Sequence, residues 1–250
     1  MTVTAWPVSG LTGELVAVPE LCSGDGWFFG GWGLGLLVEA ARGDGDGSVI
    51  DLAAGFYRPV RVSSLLSVRH EVGVAGRTLR HSRVDAYVDG QLVLGGTAVV
   101  GPRPGPVETA AAPPDVPPPG DCPERRYTLG PGPGVGALLD VRVAGERLDA
   151  GDASRVRLWV RTRVPVPDEV RLAVASDHIP YLMRRLEPTL VRASTVSATL
   201  RVFDGEVDEW VLVDIGLVAR GERFTVGRAS LWSAGTRLVG VAEQTTYLRR

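Results

Sequence analysis

Asp177 stands where an acid needs a reason. It lies in the stretch ASDHIP, at the end of the run PDEVRLAVASDH, where Pro167 and Asp168 supply a helix start. The C-terminal end of a helix is the negative end of its dipole and disfavours a carboxylate. Asp177 is therefore either an ordinary helix-end or loop acid, or an acid kept for chemistry. A carboxylate held against a water can act as general base, which is worth roughly 10²–10⁴-fold in rate. A second candidate feature is the stretch FFGGWGLGLLVEAA, residues 28–41. It reads as a short apolar helix, yet Gly30, Gly31, Gly33 and Gly35 occupy its first half. Each glycine inside a helix costs about 0.5–1 kcal/mol relative to alanine. Either another backbone packs closely against this segment, or something must reach its amides. Free amides in a first helical turn, with the helix dipole behind them, can polarise a carbonyl oxygen.

Other chemistries find little support. His70 and His81 sit in strand patterns, while His178 adjoins Asp177. Cys22 and Cys122 are the only cysteines, too few for a disulfide framework or a four-ligand metal site. No G-x-S-x-G elbow, P-loop or dinucleotide fingerprint is present, and the glycines of residues 130–136 alternate with prolines as a loop would. No metal and no cofactor are expected.

The chain has 250 residues and a formal net charge of −2, with charges of both signs interspersed. No polybasic run exists, so nucleic acid is not an expected partner. All 27 Lys+Arg positions are arginine, and asparagine is absent. That bias suits a GC-rich bacterial genome and says nothing of mechanism. The N-terminal MTVTAWPVSG lacks a charged segment followed by an apolar core, and no apolar run is long enough to span a bilayer. The expectation is a cytoplasmic protein without membrane association.

Residues 102–123, PRPGPVETAAAPPDVPPPGDCP, break the pattern with prolines, which lack an amide donor and favour extended chain. They read as a linker at 102–124 between an N-terminal unit, 1–101, and a C-terminal unit, 125–250. In the first unit the glycine-rich helix is followed by four strand-like runs, SVIDLAAGFYRPVR, SSLLSVRHEVGV, RTLRHSRVDAYV and QLVLGGTAVVG. Turn signals at Gly73–Gly76 and Asp89–Gly90 separate them. The second unit offers VRLWVRTRV, the Asp168 helix, then STVSATLRVF, EWVLVDIGLVA, RFTVGRASLWS and RLVGVAEQTTYL. Residues 83–96 match 228–242 in pattern, strand, glycine turn, strand. A duplication of a whole subdomain is implied. Two sheet-plus-helix units would bury their apolar faces by joining into one continuous sheet with both helices on the same side.

At this point the chain resembles a known family. FFGGWGLGLLVEAA followed by GFYRPV looks like the first half of the acyl-CoA thioesterase II-type double hotdog enzymes, and VASDHIP, STVSATLRVF, DEWVLVDI and VGVAEQTTYLRR resemble its second half in the same order. The resemblance covers all but the linker and the first dozen or so residues. It implies an α+β fold of two fused hotdog units, each an antiparallel sheet wrapped around one helix.

It also implies an activity, hydrolysis of acyl-CoA or carrier-protein-bound acyl thioesters by direct water attack. The family's acid, hydroxyl and amide fall on Asp177, Thr195 and Gln244. Ser194 competes for the hydroxyl role, since a one-residue slip in a strand exchanges faces. Gly30, Gly31, Trp32 and His178 are implied at the substrate, with an amide near Gly30–Gly31 facing the pocket and Gly33 and Gly35 serving packing. The first half carries no matching acid, hydroxyl and amide, so one site per chain is expected, and homo-oligomers of double units fit the resemblance. Ser197 and Ala198 stand where the family has Asp-His, Trp32 where it often has Gln, and the second helix is shorter. The alternative is a binding or tailoring protein that keeps the fold without hydrolysis; the pattern of a hotdog hydratase is missing.

Overall fold

The structure is a computed structural model that describes residues 13–43, 45–105, 107–109, 111–125, 130–148 and 154–249. The first half contains β1 (Glu14–Val16), α1 (Gly30–Arg42), β2 (Ser48–Phe56), β3 (Leu65–Ala75), β4 (Arg80–Val88) and β5 (Gln91–Gly101). The second contains β6 (Leu139–Arg147), β7 (Arg155–Thr162), α2 (Asp168–Ser176), α3 (Ile179–Leu186), β8 (Arg192–Val202), β9 (Val211–Arg220), β10 (Phe224–Ser233) and β11 (Arg237–Arg249). All eleven strands join one sheet in the order β1-β3-β4-β5-β2-β8-β11-β10-β9-β7-β6. The halves meet at the β2–β8 ladder, antiparallel, with Leu52 opposite Leu200.

The internal repeat seen in the sequence corresponds to two hairpins in equivalent places. β5 adjoins the junction strand β2, and β11 adjoins β8. The β4–β5 hairpin turns through Asp89 and Gly90, with φ of 49° and 73°, and the β10–β11 hairpin through Ala234 and Gly235, with φ of 48° and 76°. Two successive positive φ values match the right-handed twist of the flanking strands. The other expected turn differs. Gly73 lies inside β3 at a register shift, and the chain reverses over residues 76–79. β1, β6 and α3 were not anticipated.

Helix α1 is covered on every side: Gly31 to Ala41 are all buried. A helix with no exposed stripe belongs in an interior. Burying Leu34, Leu36 and Leu37, each 0–2% exposed, contributes about 1.5–3 kcal/mol per side chain. Its longest contact is with α2 rather than with any strand. A methyl group at Gly31 would lie 2.8 Å from the Val174 backbone oxygen, so the two helices approach backbone to backbone there. That is one reason for the opening glycines.

The proline-rich segment is pinned to the sheet. Trp159 alternates with Leu158 and Val160 on β7 and so faces away from the helices. Its indole Nε1 donates to the Pro117 carbonyl at 2.9 Å. Cys122 joins Trp159, Leu212, Trp232 and Leu238 in a small second core on that outer face.

Candidate active site

Helix α2 ends at Ser176, and Asp177 leaves the helical conformation at φ −88°, ψ 50°. His178 then precedes α3, which carries Pro180 in its first turn. The two-residue break turns the Asp177 side chain inward, where it is 5% exposed.

Two strands bring the polar partners. Gln244 shares the core-facing side of β11 with Ala242 and Thr246. On β8 the core-facing residues are Ala198, Leu200 and Val202, and strict alternation would add Ser194 to that face. The β8–β11 register shifts, however: Thr245 pairs with Ser197 and Thr246 with Thr195, leaving Val196 as the extra residue of a bulge. A bulge re-aims the side chains beyond it. Thr195 therefore reaches Asp177, and the choice between Ser194 and Thr195 is resolved by geometry that alternation alone does not reveal.

The three groups form a closed triangle. Gln244 Nε2 donates to Asp177 Oδ1 at 2.6 Å and to Thr195 Oγ1. Thr195 Oγ1 donates to Asp177 Oδ1 at 3.3 Å. One carboxamide hydrogen serves each bond, and the hydroxyl accepts from Gln244 while donating to the carboxylate. The flipped amide would set Oε1 against the carboxylate. The backbone of Gly31 also favours the ionised form of the Asp177 carboxyl. Oδ2 lies toward Gly30, where a methyl group would stand 2.6 Å from it. Burial pushes the Asp177 carboxyl up from 3.8 to about 6, against the bonds from Gln244 and Thr195, the backbone of Gly31 and the charge of Arg125.

His178 is 1% exposed. Its Nδ1 meets the Ala175 carbonyl at 3.0 Å, and Phe29 meets the ring edge-on with centroids 5.8 Å apart. Burial lowers its pKa to about 3, with the Arg125 charge adding and the Ala175 bond opposing. The imidazole is thus neutral, with its proton on Nδ1.

Asp177, His178, Thr195 and Gly30 border a cavity of about 580 Å³. Its apolar wall includes Phe28, Phe56, Leu66 and Leu94, and Arg58, Arg125, Arg184, Arg192 and Arg249 also border it. Gln244 is not on this wall; it stands behind Asp177 and Thr195. Gly31 and Trp32, expected at the substrate, are not on it either. Trp32 is 0% exposed, because two residues on from Gly30 a helix has turned about 200°. Arginines at the rim were expected to meet the phosphates of the substrate, but which ones was not legible: they come from separate elements, and an isolated arginine in an arginine-rich chain carries no signal.

A carboxylate with a pKa near 6 is suited to accept a proton at neutral pH. Among the described residues no three His, Cys, Asp or Glu side chains cluster as a metal site would need, and no helix is long and apolar enough to cross a membrane. On the inward face of the first half, β2 and β5 present Val49, Leu52, Ala54, Ala98 and Val100, so the triangle has no counterpart there.

Comparison with known proteins agrees with this architecture. A candidate thioesterase from Novosphingobium aromaticivorans superposes with a TM-score of 0.83 at 26% identity, covering 98% of this chain and 98% of that one. A hot dog fold protein from Alicyclobacillus acidocaldarius gives 0.82 at 23% identity, over 100% and 96% of the two chains. An acyl-CoA thioesterase II from Mycobacterium marinum gives 0.70 at 21% identity, over 88% and 89%. The fold is a double hotdog. No curated protein matches the sequence. The family model of the acyl-CoA thioesterase C-terminal domain matches residues 112–248, more than half of the chain and the part that supplies Asp177, Thr195 and Gln244. The chain belongs to the acyl-CoA thioesterase family, and with it to the thioester hydrolases.

Proposed function

We propose that the protein hydrolyses acyl-CoA or carrier-protein-bound acyl thioesters by direct attack of water, with Asp177 as general base. The observation that supports this most is that Asp177 and Thr195 meet at one cavity, bonded to each other and to Gln244 behind them, from three separate elements. Asp177 takes a proton from the water as its oxygen bonds to the thioester carbon. Negative charge moves to the carbonyl oxygen, and the first helical amide, that of Gly30, has no intrahelical acceptor and borders the cavity. One such donor is worth about 3–4 kcal/mol to an oxyanion. Collapse breaks the carbon–sulfur bond, and the carboxylic acid of Asp177 returns its proton to the departing thiolate. The products are a carboxylic acid and a free thiol, with no covalent intermediate. Thr195 and Gln244 fix one oxygen of the carboxylate and hold its pKa down.

The apolar wall of Phe28, Phe56, Leu66 and Leu94 suits an acyl chain, and the bordering arginines suit the phosphates of coenzyme A or of a carrier's phosphopantetheine. We further take residues 1–101 and 125–250 as the two hotdog units. Cys22 and Cys122 are free thiols, which fits a reducing cytoplasm. Thiol release should be measured on a panel of acyl-CoAs of graded length and on the same acyl groups carried by acyl carrier protein. Turnover of one series, abolished in Asp177→Asn, supports the reading. Saturable binding of these thioesters without thiol release would replace it with a non-hydrolytic one.

A further inference from the structure

The imidazole of His178 has one nitrogen accounted for and one not. Nδ1 is engaged by the Ala175 carbonyl, so it carries the proton, and Nε2 presents a lone pair. Nε2 is buried and has no hydrogen-bond partner. A buried acceptor left unanswered is costly and calls for a donor. His178 nevertheless borders the cavity, next in sequence to Asp177. Along α3 the wall continues through Pro180 and Tyr181 to Arg184, and exposure rises outward from the buried His178. A donor carried by the substrate, slightly outward of the reacting carbon, would meet Nε2.

We propose that His178 Nε2 accepts the amide N–H that lies two methylenes from the sulfur in a pantetheine arm, and that the protein thereby selects thioesters of pantetheine-type thiols over those of plain alkyl thiols. This rests on the thioesterase reading for the identity of the substrate. The chemistry favours an N–H donor because a neutral imidazole with Nδ1 occupied can only accept at Nε2. A carboxylate or phosphate oxygen would be repelled there. The arm is common to coenzyme A and to carrier proteins, so the contact would serve either.

The test uses non-hydrolysable thioethers, so that it reads binding whether or not the protein turns over thioesters. Calorimetry compares an S-alkyl N-acetylcysteamine with a dialkyl thioether of equal length lacking the amide. Wild type is expected to prefer the amide-bearing ligand by about tenfold or more, as sites built around a hydrogen bond do. His178→Phe, similar in shape but without an acceptor, should bind both ligands within about twofold. His178→Gln, whose Oε1 can accept, should recover part of the preference. Equal binding of the two ligands by wild type overturns the proposal, as does a preference kept in a folded His178→Phe. Loss of thioester hydrolysis with the binding preference intact would instead overturn only the hydrolytic reading.

Discussion

Gly30, the first residue of α1, stands against the Asp177 carboxylate at the end of α2, so close that a methyl group there would lie 2.6 Å from Oδ2. This answers why an acid sits at the unfavourable end of a helix. The negative end of α2 is offset by the positive end of α1, whose backbone at Gly31 favours the ionised carboxyl. Phe29, the residue before α1, offers no side-chain cap of its own.

Asp177→Asn should cut thioester hydrolysis by about 100-fold or more while making the protein more stable. The carboxyl rises from 3.8 to about 6 on folding, and at about 1.4 kcal/mol per pH unit an isosteric neutral amide should gain about 1–3 kcal/mol at pH 7. Denaturant melts of the two proteins check the sign. A less stable Asp177→Asn would show that the carboxylate is a net stabiliser.

The pH dependence follows from the same shift. Hydrolysis needs the carboxylate, so kcat/KM should fall below about pH 6 with a limiting slope of about tenfold per unit. Stability should run the other way. The folded state binds this proton more tightly than the unfolded one, so the Asp177 contribution favours folding at low pH and is lost as pH rises from about 4 to about 6. His178, lowered from 6.5 to about 3 on folding, should add no step to kcat/KM near neutrality. Its own contribution to stability is present above about pH 6.5, is lost as pH falls toward about 3 and opposes that of Asp177. An acid limb centred near pH 4 would mean an unperturbed carboxyl is the base.

Gln244→Leu removes the donor that bonds both Asp177 Oδ1 and Thr195 Oγ1. Those bonds favour the ionised carboxyl, so the acid limb of the kcat/KM profile should move above pH 6. A limb that moves down would place Gln244 outside the electrostatics of the base.

The two hydroxyls of β8 should separate cleanly. Thr195→Val should cost about 10–100-fold in kcat, since it deletes a bond to a buried charge. Ser194→Ala should stay within about threefold of wild type. A reversal would show that the bulge at Val196 does not set the working register.

The paired glycines should also separate. Gly30→Ala places a methyl 2.6 Å from Asp177 Oδ2 and should lower kcat while leaving the melting temperature nearly unchanged. Gly31→Ala places one 2.8 Å from the Val174 backbone oxygen and should cost about 1–3 kcal/mol of stability. Equal losses in both properties for both variants would reduce the pair to packing.

Much of this was legible in the sequence. The repeated hairpins and the glycine-rich helix are local patterns, and each corresponds to an element. The position of Asp177 at a helix end was legible too, but its partner was not, because a contact between two helices has no spacing along the chain. The Thr195 register was hidden in a one-residue bulge that no alternation rule contains. Trp32 was misplaced because adjacency to Gly30 in sequence is separation around a helix. α3 was missed because Pro180, which cannot continue a helix, is at home in the first turn of a new one.

The site draws Gly30 and Gly31 from one half and Asp177, Thr195 and Gln244 from the other, across the junction of β2 with β8. Were the halves separate chains, the active form would be a bimolecular product, and dilution would disassemble it. The segment of residues 102–124 replaces that encounter with an intramolecular one, at an effective concentration on the order of millimolar. Specific activity is thereby insulated from how much protein the cell holds. The second half alone keeps the acid, while the first half supplies Gly30, Phe28, Phe56 and Arg58 to the same cavity.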